Sequence, residues 1–211
     1  MIVRYLLCVL LFLTVRGISF SQGSYGSNIS VISRMLDESV LPVENELILI
    51  GKGKLYNLSV RSSNEYRSFF IPYIKGKLGN FRILTEADTT GISDSIDYNI
   101  IFSEININTK YREVYTDNVF GTKKIKRSVT VTYRTEITEF KSSKVVFSKN
   151  YSNKTEDSFN LDEKDQVEDI RYSFSAAKLP EESTLNQFLF PAAIIIASAA
   201  AIVLFFTIRS K

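Results

Sequence analysis

Near its carboxyl end the chain carries a long apolar segment, residues 188–208, with the sequence FLFPAAIIIASAAAIVLFFTI. The segment contains no charged residue, and as an α-helix it would reach about 30 Å, the thickness of the hydrocarbon core of a bilayer. Arg209 and Lys211 follow it directly. We therefore expect a transmembrane helix over 188–208, a cytoplasmic tail over 209–211 and a globular domain on the amino-terminal side.

Residues 1–21 have the pattern of a secretory signal peptide. Arg4 supplies the positive region, residues 5–15 form the apolar run, and Ser19 and Ser21 occupy the two small-residue positions before a cleavage site. An uncleaved amino-terminal anchor is the alternative. The basic residues after the carboxy-terminal span obey the positive-inside rule. Together the two ends predict a single-pass membrane protein, with a periplasmic or exoplasmic domain and a cytoplasmic carboxyl end, in a bacterial inner membrane.

The remaining residues, 22–187, are enough for one domain with a hydrophobic core. Four of the 26 Lys and Arg residues lie in the terminal segments, which leaves 22 against 23 Asp and Glu and a net charge of −1. We therefore expect no nucleic-acid partner. The basic run KKIKR at 123–127 could contact phosphate or anionic headgroups, but we interpret it as a solvated loop that leads into a strand.

Few residues that commonly carry out catalysis are available. The chain has no histidine, and its one cysteine, Cys8, lies in the predicted signal peptide. This excludes His-dependent and thiol catalysis in the mature domain and disfavours transition-metal sites. Asp88, Asp94 and Asp97 could bind Ca²⁺ or act as an acid–base pair, but we interpret them as turn residues. The acidic group at 162–169 is interpreted as a solvated helix face. The sequence predicts a protein that is not an enzyme and needs no cofactor or metal.

A domain without cysteine fits a bacterial envelope better than an animal extracellular space, where disulfides are common. Four Asn-x-Ser/Thr sequons oppose this reading, at Asn28, Asn57, Asn150 and Asn153. The alternative is therefore a glycosylated eukaryotic single-pass ectodomain.

Periodicity predicts an α+β domain over residues 22–172. We expect a helix over 30–40 stopped by Pro42, strands over 46–50 and 54–60, and a helix after the Ser-x-x-Glu capping signature at 62–65. Strands dominate the second half, with a shift of apolar phase near 105 that indicates either a bulge or a strand covered on both faces. The economical solution is a meandering, mostly antiparallel sheet with helices on one face, followed by an irregular stalk over 173–187.

The strand segments FRILTEAD, SIDYNIIFSEI, RSVTVTYRTEITEF and KVVFSKNY follow one another between residues 81 and 151. Over residues 46–157 this order resembles small bacterial envelope-assembly domains, such as the lipopolysaccharide-assembly lipoprotein family. The resemblance is topological and implies a fold of that kind. The chain departs from that family because it has no lipobox cysteine and has a predicted carboxy-terminal span. No functional residue carries over.

We expect the domain to act as a scaffold or assembly module that binds another envelope protein or a second copy of itself. Sheet edges accept extra strands, so we predict that the segment 127–138 forms the partner contact. Its candidate residues are Arg127, Thr130, Thr132, Arg134, Glu136 and Thr138. In the anchor, Ala193, Ala197 and Ala201 recur every four residues and form a possible helix-pairing seam. The alternative function, binding of a small ligand or lipid, requires a cavity between the sheet and the aromatic residues Phe69, Phe70 and Tyr73.

Overall fold

The structure is a computed structural model that describes residues 26–85, 88, 95–117, 121–181 and 184–209, without the side chains of 184–190, 208 and 209. This part of the chain contains four α-helices and five strands. The elements, in chain order, are α1 (Asn28–Ile50), β1 (Leu55–Arg61), α2 (Asn64–Lys77), β2 (Arg82–Thr85), β3 (Tyr98–Thr116), β4 (Lys123–Glu139), β5 (Val145–Asn160), a 3₁₀ turn (Leu161–Glu163), α3 (Lys164–Val167), a second 3₁₀ turn (Ser173–Ser175) and α4 (Thr184–Arg209). The α+β class predicted from the sequence is confirmed.

The five strands form one mixed sheet in the order β2-β1-β3-β4-β5. The three long strands β3, β4 and β5 pair antiparallel, as expected. Strand β1, however, pairs parallel with both β2 and β3. The prediction of a meander is therefore wrong for this half of the sheet. The reason is that α2 crosses over between β1 and β2, and a crossover helix returns the chain in the same direction.

Helix α1 is longer than predicted, and residues 46–50 belong to it rather than to a strand. A short apolar run such as ELILI fits a buried strand and a buried helix equally well. Pro42 lies inside the helix without stopping it. An interior proline costs about 3 kcal/mol. Val43 and Leu47 are fully buried beyond it, and each such side chain contributes about 1.5–3 kcal/mol, which offsets that cost. The helix ends at Gly51, whose φ of 128° favours glycine.

Helix α2 begins after Ser63, one residue later than the Ser62-x-x-Glu65 signature indicates, and Ser63 makes no side-chain capping hydrogen bond. The helix continues through Pro72. Its buried residues Phe69, Phe70 and Ile74 join a core that also contains the inward side chains of α1, β1, β3 and β4. A smaller cluster beside this core contains Tyr111, Val114, Ile125, Phe159 and Val167. Both clusters lie on the same sheet face, so the described helices of the domain pack on that face and none of them packs on the opposite one.

The predicted bulge in β3 is present. The register with β4 shifts between Ser103 and Asn106, and Glu104 has a φ of 54°. The extra residue lets Phe102 and Ile105 both point inward, which explains the change of apolar phase in the sequence.

The first residues of the predicted stalk are packed on the domain. Phe174 and Ser175 are buried, and the Phe174 ring stacks on the rings of Tyr66 and Tyr172. The chain from 176 to 181 has no regular secondary structure. Folded residues therefore extend beyond the predicted boundary at 172, because an aromatic side chain that buries its ring holds the segment in place.

Helix α4 runs over Thr184–Arg209 and carries exposed apolar side chains, among them Ile195, Ile196, Leu204 and Phe206. In the part of the chain that the structure describes, no helix reaches the combined length and apolarity that a membrane crossing requires. The predicted span begins and ends on positions, 188–190 and 208, whose side chains lie outside the described set.

Candidate interaction surface

The sheet face opposite the helices, which we call the open face, is polar along the interior strand β4. In β4 the even-numbered residues Thr130, Thr132, Arg134, Glu136 and Thr138 alternate with buried odd-numbered ones. Each of the five is half-buried by its neighbours on the same face. Five of the six residues predicted as a partner contact therefore share one surface; their binding to a partner stays a prediction.

Neighbouring strands continue this polar surface. The side-chain Nδ2 of Asn57 in β1 donates to the side-chain Oδ1 of Asn99 in β3 at 3.0 Å. Arg134 forms an ion pair with Glu136 at 2.5 Å, and the hydroxyl of Ser148 in β5 lies 3.5 Å from the same carboxylate. Ile101 adds one apolar side chain, which is 7% exposed. Polar groups that are already held in place can be desolvated by a partner with little loss of side-chain freedom.

The prediction that segment 127–138 forms a sheet edge is wrong. Strand β4 lies between β3 and β5 and pairs with both along its length. Its backbone groups are therefore occupied on both sides, and no further strand can be added there. The edges of the sheet are β2 and β5. The pairing order depends on contacts between segments distant in sequence, which the alternation of β4 does not reveal.

Arg127 is the exception among the six predicted residues, because it points to the helix-covered side and is 0% exposed. Its Nε donates to Asp157 Oδ1 at 2.7 Å, and its Nη2 donates to Asp157 Oδ2. Its Nη1 donates to Asn28 Oδ1 at 2.7 Å and to the carbonyl of Gly26 at 3.0 Å.

The solvated-loop interpretation of 123–127 is also wrong, since these residues belong to β4. The alternation of Val129 and Val131, extended two residues backwards, places Arg127 on the buried face.

Asn28 extends this buried polar cluster to the carboxyl end of the domain. Its Nδ2 donates to the Tyr111 hydroxyl at 3.1 Å and to the carbonyl of Ser175 at 2.5 Å. Burial raises the pKa of Tyr111, and the neighbouring Glu168 carboxylate raises it further. Glu168 in turn accepts hydrogen bonds from Lys164 at 2.7 Å and from the Ala177 amide at 3.1 Å. We call this group the end clamp, because it joins the first described residues of the domain to its last packed ones.

The end clamp also bears on the sequons. The atom that accepts a glycan is Nδ2, and in Asn28 both of its hydrogen bonds are made inside a fully buried site. In Asn57 the same atom is bonded within the open face. Asn150 is exposed on β5, and Asn153 is half-buried with its Nδ2 3.5 Å from Glu38. The folded domain therefore offers no room for a glycan on Asn28.

Asp88 and Asp97, two of the three carboxylates considered for metal binding or catalysis, are held by different neighbours. Asp97 accepts hydrogen bonds from the Leu55 amide at 2.9 Å and from Lys54 at 3.2 Å, and these interactions, the backbone one first, lower its pKa. Asp88 accepts from the side chain and amide of Thr85, which lower its pKa to about 2. Asp94 lies outside the described residues. Among the described residues, no group of acidic side chains is arranged to hold a metal.

Helix α2, which carries Phe69, Phe70 and Tyr73, packs directly on the sheet. The Phe70 ring lies 5.9 Å from that of Tyr133 and 6.2 Å from that of Phe102, centroid to centroid. Phe69 contacts the rings of Phe70 and Phe174, and the Tyr73 hydroxyl donates to the Ser33 carbonyl at 2.8 Å. The space that a ligand cavity would require at this place is filled by these side chains.

The possible helix-pairing seam lies on α4. Ala197 and Ala201 are exposed and Ala193 is half-buried. The pairing of this seam with another helix stays a prediction.

Comparison with known proteins gives similarity to solved structures, at a distant level. No family model matches the chain, and no curated protein matches it. Among solved structures it is similar to a Helicobacter pylori protein provisionally described as a neuraminyllactose-binding hemagglutinin homolog, with a TM-score of 0.34 and 12% identity. The similarity covers 49% of this chain and 66% of that chain, so the chain spans slightly less than two thirds of its length. A similarity this distant transfers no function, and the resemblance to the lipopolysaccharide-assembly lipoproteins stays a prediction.

Proposed function

We propose that this protein is a membrane-anchored, non-catalytic interaction module of the bacterial envelope, whose domain binds another envelope protein through the open face of its sheet. The observation that carries the proposal is the division of the sheet. The helices of the described domain pack on one face, whereas the other face presents ordered, half-buried polar side chains. An open face of an antiparallel sheet is ordinarily solvated, so we infer binding from its order and not from its polarity alone.

The chemistry of the side chains supports a non-catalytic role. The chain has no histidine, and the carboxylates of Asp88 and Asp97 are each held by hydrogen bonds from their own neighbourhood. A general base needs an accessible lone pair and a pKa near the working pH, whereas both of these carboxyl groups have lowered pKa values.

The membrane anchor in this proposal comes from the sequence of residues 188–208. A tethered domain searches for partners in two dimensions, and even a small surface can then suffice, because tethering raises its effective concentration near the membrane.

The test is co-purification of crosslinked partners from native membranes with an open-face variant. The double variant Arg134→Ser, Glu136→Ser removes an ion pair without changing the net charge. We expect it to lose most of the partner that the wild type recovers. The matched control, Lys75→Ser with Asp88→Ser, removes an ion pair of 3.3 Å away from the open face. The proposal is wrong if both variants recover the partner equally, provided that circular dichroism shows both to be folded.

A further inference from the structure

Strand β5 is a long unpaired edge. It runs for 16 residues, Val145–Asn160, and it ends the sheet order, so no other strand of the described chain pairs with its outer side. It contains no proline, and its one register shift lies at its start, opposite Ile137 and Thr138. Edges of this length are normally shortened, bulged or covered, because their free backbone groups attract another strand.

The sequence of β5 indicates which strand could pair with this edge. Residues 150–160 read NYSNKTEDSFN. Two residues equally far from Thr155 are identical, similar in shape or opposite in charge. Counted outwards from Thr155, the pairs are Lys154 with Glu156, Asn153 with Asp157, Ser152 with Ser158, Tyr151 with Phe159, and Asn150 with Asn160. When a strand pairs antiparallel with its own copy around a two-fold axis, these are the residues that face one another.

The placement of the charges agrees with this pairing. Lys154 and Glu156 both lie on the open face, opposite Thr130 and Ser128 of β4. Their side chains are 52% and 39% exposed. They are 2.7 Å apart within one strand, and a second copy would add the same pair twice across the axis. Opposite charges facing one another across strands are favourable, and like charges are not.

Lysines on an edge strand often serve to prevent pairing. In β5 the position of each lysine argues against that role. Lys154 meets a glutamate across the proposed axis, and Lys149 lies outside the symmetric segment.

We propose that β5 pairs antiparallel with β5 of a second copy of this chain, around a two-fold axis at Thr155. The two five-stranded sheets then form one continuous sheet with a doubled open face. A two-fold contact closes on itself, so the assembly stops at two copies. The proposal does not rest on the proposed function, since it uses the backbone edge of β5, whereas the proposed function uses the open-face side chains of β4.

Cysteine crosslinking in membranes tests the register directly. In a Cys8→Ser background the full-length chain has no cysteine, so a single Thr155→Cys would place two thiols beside the axis. We expect mild oxidation or a short thiol-specific reagent to give a covalent dimer. The control Ser148→Cys lies on the same strand and is exposed, but in this register the two copies of residue 148 are roughly 46 Å apart. We expect no crosslink from it.

Charge reversal gives a second, independent test. In the Lys154→Glu variant, residue 154 of each copy becomes a glutamate that faces Glu156 of the other copy. These two like-charge contacts should weaken the dimer about tenfold. Adding Glu156→Lys to the same chain restores both opposite-charge pairs and should restore the dimer. Lys149→Glu makes the same change of charge outside the symmetric segment and should have little effect. The measurement is sedimentation of the full-length chain in detergent micelles.

Two results would overturn the proposal. One is a wild-type chain that is monomeric over the concentrations tested. The other is a dimer that Thr155→Cys fails to trap while Lys154→Glu leaves it intact, since the two copies would then be held by another surface, such as α4.

Discussion

The guanidinium of Arg127 makes a two-pronged ion pair with the carboxylate of Asp157, which lies opposite it on the neighbouring strand. Arg127 is fully buried, whereas a third of the Asp157 side chain reaches solvent. Such a pair adds little net stability, but breaking it is costly because the buried charge loses its partner. The Arg127–Asp157 ion pair therefore contributes more to the choice of this fold over alternatives than to the free energy of unfolding.

Asp157→Asn is expected to destabilise the domain by about 2–4 kcal/mol, a range reduced to allow for the partial exposure of the carboxylate. The measurement is urea unfolding followed by circular dichroism. Asp162→Asn, a change of the same kind at an exposed position, serves as the control and should unfold at nearly the wild-type urea concentration. Equal midpoints for the two variants would show that Arg127 finds other compensation.

Asn28→Ala removes the two hydrogen bonds that its Nδ2 donates to Tyr111 and to the carbonyl of Ser175, and the one that its Oδ1 accepts from Arg127. Because these bonds are lost inside a buried polar cluster, we expect a loss of about 2 kcal/mol. The residues from 173 to 181 should also become more sensitive to limited proteolysis, since the end clamp holds them. Asn150→Ala removes an exposed sequon asparagine and is the matched control. Unchanged cleavage in Asn28→Ala would contradict the role assigned to the clamp.

Stability should fall at alkaline pH. Burial, followed by the nearby Tyr98 and Asp97, raises the pKa of Tyr56 to about 12, whereas an unfolded tyrosine has a pKa of about 10. The folded state therefore retains a proton that the unfolded state releases. This contribution is fully present below pH 10 and is lost as the pH rises towards 12. Burial raises the pKa of Tyr133 in the same way.

The alkaline prediction is checked by urea unfolding at a series of pH values between 9 and about 12. Tyr56→Phe should reduce the slope of stability against pH, although it also removes the hydrogen bond that Tyr56 donates to the Gly51 carbonyl at 2.9 Å. A wild-type unfolding free energy that stays constant over this range would refute the linkage.

The membrane anchor predicts how the full-length chain fractionates. Protein that contains residues 188–208 should stay with the membrane pellet after an alkaline carbonate wash, and protein truncated after residue 183 should be released. If the proposed topology is correct, the carboxyl end should resist protease added from outside, since basic residues that flank a span favour the cytoplasmic side. Release of the full-length chain by the wash would disprove the span.

Local patterns in the sequence were enough to predict several elements. The capping signature before α2, the alternation of β4 and the phase shift in β3 each reflect interactions between residues a few positions apart. The alternation and the phase shift agree in position with the structure, and α2 begins one residue later than the signature indicates. The agreement arises because the backbone geometry of a half-exposed strand or a bulge depends mainly on such neighbours. The polar residues Thr130, Thr132, Arg134, Glu136 and Thr138 were placed on one surface for the same reason.

The tertiary structure alone decided which segments meet. Residues 46–50 continue α1 rather than form a strand, because the helix buries Leu47 on the face that α1 presents to the core, whereas Ile48 and Leu49 stay exposed. Strand β4 is central rather than an edge because β5 folds back along it. Arg127 is buried because Asn28 and Asp157, about a hundred and thirty positions apart, converge on its guanidinium. Local periodicity does not reveal such long-range pairings, because residues distant in sequence interact only once the chain has folded.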